Sequence, residues 1–307
     1  MSYESTLLAL ARQDERVVVL TAENRAPIRN LASELGDRFI DVGIAEQTMV
    51  GAAAGLALRG RIPVVHALAS FLTLRAFEFI RTDIGIAGLP VKLVGTVPGF
   101  LSEANGPTHQ ALEDVSLLRG IPGMSVVCPT DEDDLRLCLP AVLGDPGPVY
   151  LRFCAVKPIL KRRGPFSLGE AEVLSEGSDV GLLTYGTMTG PCYEAAKILF
   201  DDGLTVRLVS MRTLKPVDER VLVETAESTR ILVVVEDHFA TGGLGSIVAE
   251  VLLRRRIPVS FLHLALRERW FRPALLDAVL LAEGFRGTQI ARRIRRSLDD
   301  EDRKERS

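Results

Sequence analysis

Two segments of this chain combine residue types in a way that could do chemistry. The first is Asp41–Gln47 (DVGIAEQ), followed by TMVGAAAGLALRG over residues 48–60. Glu46 falls in the first turn of a helix made almost wholly of small residues. Gly51, Ala52, Ala53, Ala54, Gly55 and Ala57 cost some helix propensity at the glycines but let another backbone come very close. On the residues alone Glu46 has two readings: an ordinary first-turn carboxylate favoured by the helix dipole, or a buried acid able to exchange a proton. The second segment is Gly106–Gln110 (GPTHQ), a polar loop after the strand-like Val91–Thr96. His109 would there sit at the carboxyl edge of a parallel strand, where open α/β sheets bind ligands. Imidazole is suited to moving protons near neutral pH.

Other candidate groups read more simply. His66 and His263 lie in apolar strands and read as core or rim histidines, while His238, in VEDHF over 235–239, stays open. Cys128, Cys138, Cys154 and Cys192 lack the close spacing of metal or redox pairs and read as plain buried or half-buried thiols of a reducing cytoplasm. The Gly-rich Thr241–Gly245 reads as a tight strand-to-helix turn.

Short apolar runs alternate with helical patterns and must position these residues. Arg16–Leu20, Ile62–Ala67, Val91–Thr96, Ser125–Cys128 and Val149–Arg152 read as strands covered on both faces. Helices are expected at Ala45–Arg59, Leu72–Ala87, Leu112–Gly120 and Asp131–Leu143, the last capped by Thr130 with Asp133 at the capping-box position. Lys157–Gly169 (KPILKRRGPFSLG) breaks the pattern and reads as a connection. Alternation then resumes: strands at Asp179–Tyr185, Leu204–Val209, Ile231–Glu236 and Pro258–Leu264, helices at Pro191–Asp202, Val217–Ser228, Gly243–Arg255, Pro273–Glu283 and Thr288–Ser297. The expected fold class is α/β: two domains, each a mostly parallel sheet with helices on both faces. The boundaries expected are a first domain over 1–156, a linker over 157–176, a second domain over 177–298 and a fraying charged tail over 299–307.

Composition narrows the function classes. The 307 residues suit two domains, and 47 % hydrophobic with 25 % charged residues supports a sizeable core. A net charge of −3 with both signs interspersed calls for neither nucleic acid nor an anionic membrane. No run approaches the about 18 apolar residues of a membrane helix. Met1–Arg12 does not read as a signal peptide, so a cytoplasmic protein is expected.

Taken in order, DVGIAEQ, the Ala/Gly helix, Ser70–Phe71–Leu72, GPTHQ and Ser116–Pro122 (SLLRGIP) resemble the transketolase family and the related 1-deoxyxylulose-5-phosphate synthases. Thr184–Gly186, Arg212–Pro216 (RTLKP), Val235–His238 and Gly242–Gly245 (GGLG) extend the resemblance into the C-terminal domain, over roughly residues 5 to 298. The resemblance implies thiamine diphosphate as cofactor, with a thiamine-pyrimidine-binding domain followed by a transketolase C-terminal-like domain. It makes Glu46 the carboxylate that hydrogen-bonds N1′ of the aminopyrimidine, desolvated by Ile44, Ala45, Met49 and Val50. Phe71, Leu74 and Phe77 take the places of the pyrimidine's aromatic wall, and Phe77 reads equally as a core aromatic. His109 matches the histidine facing the reacting carbon, Arg152 an arginine holding substrate phosphate, and Glu23 an acid near the cofactor and dimer contact. Two substrate positions depart from the pattern. Asn105 stands where transketolases have an aspartate touching a donor hydroxyl, and Val97 where they have a second substrate histidine.

The family carries magnesium and the diphosphate on a G-D-G motif followed by an asparagine, and no G-D-G occurs here. The resemblance therefore implies a split enzyme: a partner subunit holds Mg2+ and the diphosphate, in a heterotetramer of two of each chain with self-association of this one. The implied reaction moves a two-carbon ketol unit from a ketose (phosphate) to an aldehyde, both small molecules. Two alternatives stay open, an acyl or acetyl transferase using a 2-oxo acid donor and a noncatalytic scaffold subunit.

Overall fold

The computed structural model describes residues 2–102, 105–158 and 165–305. Five fully apolar or nearly apolar segments build the first sheet because both of their faces are covered: β1 (Val17–Thr21), β3 (Ile62–Leu68), β4 (Lys92–Thr96), β5 (Ser125–Val127) and β6 (Val149–Arg152). Short β2 (Phe39–Asp41) joins β1, with Val19 opposite Phe39. The sheet order is β10-β5-β6-β4-β3-β1-β2, all parallel except β10 (Thr213–Lys215) at the edge. The crossovers are helical: α1 (Tyr3–Gln13) precedes the sheet, and α2 (Leu31–Leu35), α3 (Glu46–Leu58), α4 (Phe77–Phe79), α5 (Asp114–Arg119) and α6 (Glu132–Gly144) connect it. From β1 the chain runs outward to β2, then returns to the other side of β1 for β3. That reversal puts a topological switch point between β1 and β3, the place where open sheets bind ligands outside their carboxyl ends.

The second sheet has the order β12-β11-β8-β9-β7, built from β7 (Glu172–Ser175), β8 (Val180–Thr184), β9 (Val206–Ser210), β11 (Ile231–Phe239) and β12 (Phe261–Leu266). It is parallel except for β7, and α7 (Thr189–Asp201), α8 (Glu219–Ser228), α9 (Leu244–Arg255), α10 (Leu276–Glu283) and α11 (Gly287–Glu305) flank it. The α/β class and the two sheets agree with the expectation, and the strands read from apolar runs lie within a few residues of their places.

Several local expectations need correction. The helix expected over 72–87 is not regular: π-helical turns at Phe71–Arg75 and Ile80–Gly85 flank the single turn α4. Thr73 Oγ1 donates to the Ala69 carbonyl at 2.8 Å and Thr82 Oγ1 to that of Glu78 at 2.8 Å, bonds that loosen the i→i−4 ladder. Helix α6 is capped by Asp131, whose side chain accepts from Asp134 N–H, rather than by Thr130; the Thr130 hydroxyl is engaged by Ser210 Oγ at 2.8 Å. The linker expected over 157–176 contains β7, and its residues 159–164 lie outside the described ones. The tail expected to fray continues α11 to Glu305. Most consequential is β10, in the second half of the chain but paired antiparallel with β5 through Thr213 and Val127.

The two halves also share buried charge. Arg152, at the end of β6, is 2 % exposed. Its Nε donates to Asp114 Oδ2 at 2.9 Å and its Nη1 to Asp237 Oδ1 at 2.7 Å. Tyr150 Oη donates to the same Asp114 oxygen at 2.7 Å, and Thr187 Oγ1 to Asp237 at 2.9 Å. Burial pushes the Asp237 carboxyl up from its ordinary value, against the pull of Arg152. Two carboxylates from different domains are thus held together by one guanidinium, and removing it leaves both buried without a counter-charge. Replacing Arg152 by Met should lower unfolding stability by about 3–5 kcal/mol, read as a shifted urea midpoint; a change below about 1 kcal/mol would mean the cluster is incidental.

His66 in β3 is fully buried. Its Nε2 lies 2.8 Å from Tyr3 Oη, whereas Nδ1 has no partner among the described residues. Burial lowers its pKa to about 4 from 6.5, so the folded state favours the neutral ring. A depressed pKa of this kind stabilises fully above the unfolded value and is lost as pH falls from about 6.5 toward 4, worth about 3 kcal/mol. Denaturant titrations at pH 7 and pH 4 should therefore show the wild type losing about 3 kcal/mol more on acidification than His66→Gln.

Candidate active site

Strand ends on the carboxyl side of the first sheet gather four side chains into one contiguous set. Glu46 is the first residue of α3 and only 2 % exposed. Its apolar cover comes from Met49 and Val50, both fully buried. Arg75 Nη1 donates to Glu46 Oε2 at 2.8 Å, and the same guanidinium lies 4.1 Å above the Phe71 ring. Phe71 follows β3 and meets His109 edge-on, with ring centroids 4.9 Å apart. His109 in turn has Nδ1 2.9 Å from Thr108 Oγ1. A carboxylate, an aromatic face and an imidazole therefore stand in sequence along one sheet edge, although they come from three different loops.

The other expected site residues are placed less centrally. Glu23 is exposed after β1 in a left-handed conformation, φ +60°. Leu74 is half-exposed, and Phe77 packs its ring against the main hydrophobic cluster, as its core reading had it. Asn105 lies exposed on the loop before His109, and Val97 directly follows β4 with φ +56°. Two expectations are corrected. Ile44 is 71 % exposed, so it does not contribute to the apolar shell of Glu46 in this chain. Arg152 is 2 % exposed and spends its guanidinium on Asp114 and Asp237, so it bridges the domains rather than standing open to a phosphate.

Sequence reasoning missed Arg75. Its signal was readable: a cation four residues beyond an aromatic on a helical segment stacks on that ring. The acids Asp114, Asp237 and Glu236 were missed as well, because their partners are distant in the chain. Glu236 is buried on the N-terminus of α9, accepting from Leu244 N at 2.7 Å, Gly245 N at 3.0 Å and His263 Nε2 at 2.7 Å. A Cβ on Gly243 would come within 2.1 Å of Glu236 Oε2, so the glycine-rich segment is indeed a tight strand-to-helix turn. His238, left open from sequence, accepts from Ser116 N at 3.4 Å with Nε2, and its Nδ1 donates to the Phe239 carbonyl at 2.7 Å. It ties the domains together away from His109.

The loop that carries His109 is anchored to the second domain. Phe100 N donates to Asp237 Oδ2 at 3.4 Å, and the Phe100 ring packs on Phe271 and Phe285 with centroids 5.3 and 5.1 Å away. Gln110 Nε2 donates to the Phe271 carbonyl at 2.9 Å. At Gly99, φ is +57° and an added Cβ would meet Asp237 Oδ2 at 2.0 Å, so only glycine allows this approach.

The residues fit an aminopyrimidine cofactor. Glu46 and the Phe71 face together already hold a planar, N–H-bearing cation, the Arg75 guanidinium, and the adjacent Ser70 hydroxyl is buried without a partner among the described residues. Fold and site together define the pyrimidine-side portion of an enzyme working with a thiamine-type cofactor. Comparison with known proteins agrees. Residues 1–155 match the family model for the transketolase pyrimidine-binding domain, and residues 169–290 that for the transketolase C-terminal domain. This chain belongs to the transketolase family.

Among its relatives is the 6-deoxy-6-sulfo-D-fructose transketolase subunit SqwH of Clostridium sp. (strain MSTE9). It is 36 % identical over 296 residues, with 95 % of this chain and 91 % of that one covered. The 1-deoxy-D-xylulose-5-phosphate synthase of Synechococcus sp. (strain JA-3-3Ab) is 37 % identical over 302 residues, but the match takes in only 46 % of its length. The fold superposes on a split-gene transketolase solved as an inactive beta4 tetramer, with TM-score 0.86, 34 % identity, and 97 % and 96 % of the two chains covered.

Gly99→Ala should strain the backbone and overpack against Asp237, at a cost of about 1–3 kcal/mol. Amide exchange should report the lost anchor as faster exchange across residues 99–111, with the core strands unchanged.

Proposed function

We propose that this chain is the β-type subunit of a split, thiamine-diphosphate-dependent transketolase, its active site completed by a partner subunit that holds Mg2+ and the diphosphate. The observation that carries this reading is the unbroken set Glu46–Arg75–Phe71–His109 along one sheet edge. A relative of nearly the same length is a transketolase subunit, and the split-gene transketolase chain on which this one superposes was solved as an inactive beta4 tetramer; both support the need for a partner subunit, and the assembly proposed is two of each chain. Neither the 2-oxo-acid acyltransferase reading nor the scaffold reading gains comparable support.

When bound, thiamine diphosphate supplies the carbon nucleophile to which a two-carbon unit can be attached. The chain's own residues do the rest. Glu46, in a dry pocket, exchanges its Arg75 contact for a hydrogen bond with N1′ of the pyrimidine and shares a proton there. Phe71 gives the ring a flat face, with Leu74 and Phe77 extending the apolar wall and Glu23 bordering the cofactor at the subunit contact. His109 shuttles a proton at the oxygen of the reacting carbonyl, and Asn105 donates to a donor hydroxyl. In the net reaction the donor's bond between carbonyl carbon and carbinol carbon breaks, releasing an aldehyde. A new carbon–carbon bond forms at the acceptor's carbonyl carbon, and the proton from the donor hydroxyl ends on the acceptor oxygen.

The test is an assay of the chain co-purified with its partner, thiamine diphosphate and Mg2+. Glu46→Ala should lower ketol transfer by at least about 100-fold while the variant keeps the wild-type melting temperature and partner binding. Unchanged transfer would sink the reading.

A further inference from the structure

A cavity of about 400 Å³ opens at the carboxyl ends of β1, β4 and β6, on the same sheet edge as Glu46, Phe71 and His109. Asn24, Pro27, Val97, Leu101, Phe153 and Val156 face it, and among the described residues no charged side chain lines it. The volume suits a small organic ligand. Its polar lining is limited to Asn24 and Thr96, and these two are hydrogen-bonded to each other, Asn24 Nδ2 donating to the Thr96 hydroxyl.

Two further features keep the cavity apolar. Val97 projects there from φ +56°, a conformation that costs a β-branched side chain strain and that recurs at ligand sites. On β6 the chain alternates: Arg152 turns toward Asp114 and Asp237, and Phe153 beside it lines the cavity. The arginine at the end of β6 is therefore engaged at the domain junction, where its guanidinium meets Asp114 and Asp237. A dianionic phosphate placed here would lose its hydration with no counter-charge from the described residues that line the cavity.

From this we infer that the cavity is the acceptor subsite and that it takes the uncharged hydrocarbon substituent of an aldehyde, in place of the phosphorylated carbon chain of a sugar. The inference rests on the transketolase reading for its chemistry. Leu101, which faces the cavity, and His109 both lie on the connection that follows β4.

The experiment uses the complex of this chain with its partner, thiamine diphosphate and Mg2+, with a single ketose donor and three acceptors: glycolaldehyde, hexanal and ribose 5-phosphate. The expected kcat/KM for hexanal exceeds that for ribose 5-phosphate by at least about 10-fold. Ala155→Leu, which fills the cavity, should lower the hexanal-to-glycolaldehyde selectivity ratio by about 10-fold. Val156→Arg should shift preference toward ribose 5-phosphate. A preference of the unaltered complex for ribose 5-phosphate overturns the inference, as does a selectivity ratio unmoved by both variants. Calorimetric titration of the same complex with 1-hexanol, a non-reacting probe, separates the two readings. Saturable binding abolished by Ala155→Leu supports the apolar cavity even where no acceptor turns over, which would instead remove the transketolase reading; no binding by the unaltered complex overturns the cavity.

Discussion

Arg152 is the point on which the arrangement turns. A guanidinium taken wholly out of water is tolerable only when carboxylates meet it with good geometry, and here they arrive from both domains: Asp114 from the first, Asp237 from the second. The cluster does more than join two bodies. Asp237 also receives the Phe100 amide, so the loop running to His109 is fastened to the same buried charge. Gly99 makes the approach possible by having no Cβ. A residue that resembles a substrate ligand in sequence is thereby the keystone of the interdomain contact, and the position of the imidazole depends on it.

The site itself sits where topology concentrates loops. Strand order reverses between β1 and β3, so the connections after β1, β2, β3 and β4 all open on one edge. Glu46 is buried there beside Met49 and Val50, and Arg75 occupies both its carboxylate and the face of Phe71. Planarity, N–H donors and positive charge are the properties this pair of groups selects. The irregular helical turns that follow β3 present Phe71 and Arg75 together, at the expense of a regular i→i−4 ladder.

Much of the fold was legible because it depends on local pattern. Apolar runs covered on both faces marked β1, β3, β4, β5 and β6, and the strand-helix rhythm marked two α/β domains. Glu46 and His109 could be singled out because each stands in a short, distinctive segment. The strands that escaped are three or four residues long, β2, β7 and β10, and such segments owe their extended form to the strand they pair with. The π-helical turns escaped too, since apolar periodicity does not register one extra residue in a turn.

The sequence by itself determined the class of fold, the helix that presents Glu46 and the loop that bears His109, since local spacing and residue type decide these. Only tertiary structure decided what surrounds them. Arg152 meets partners 38 and 85 residues away, and nothing in its strand distinguishes a buried bridge from a phosphate ligand. Ile44 reads as apolar cover yet faces outward, because the turn before α3, not its hydrophobicity, sets its direction. Charge pairing across a domain junction and the aim of a loop side chain are long-range properties, and a linear pattern holds no record of the distances on which they depend.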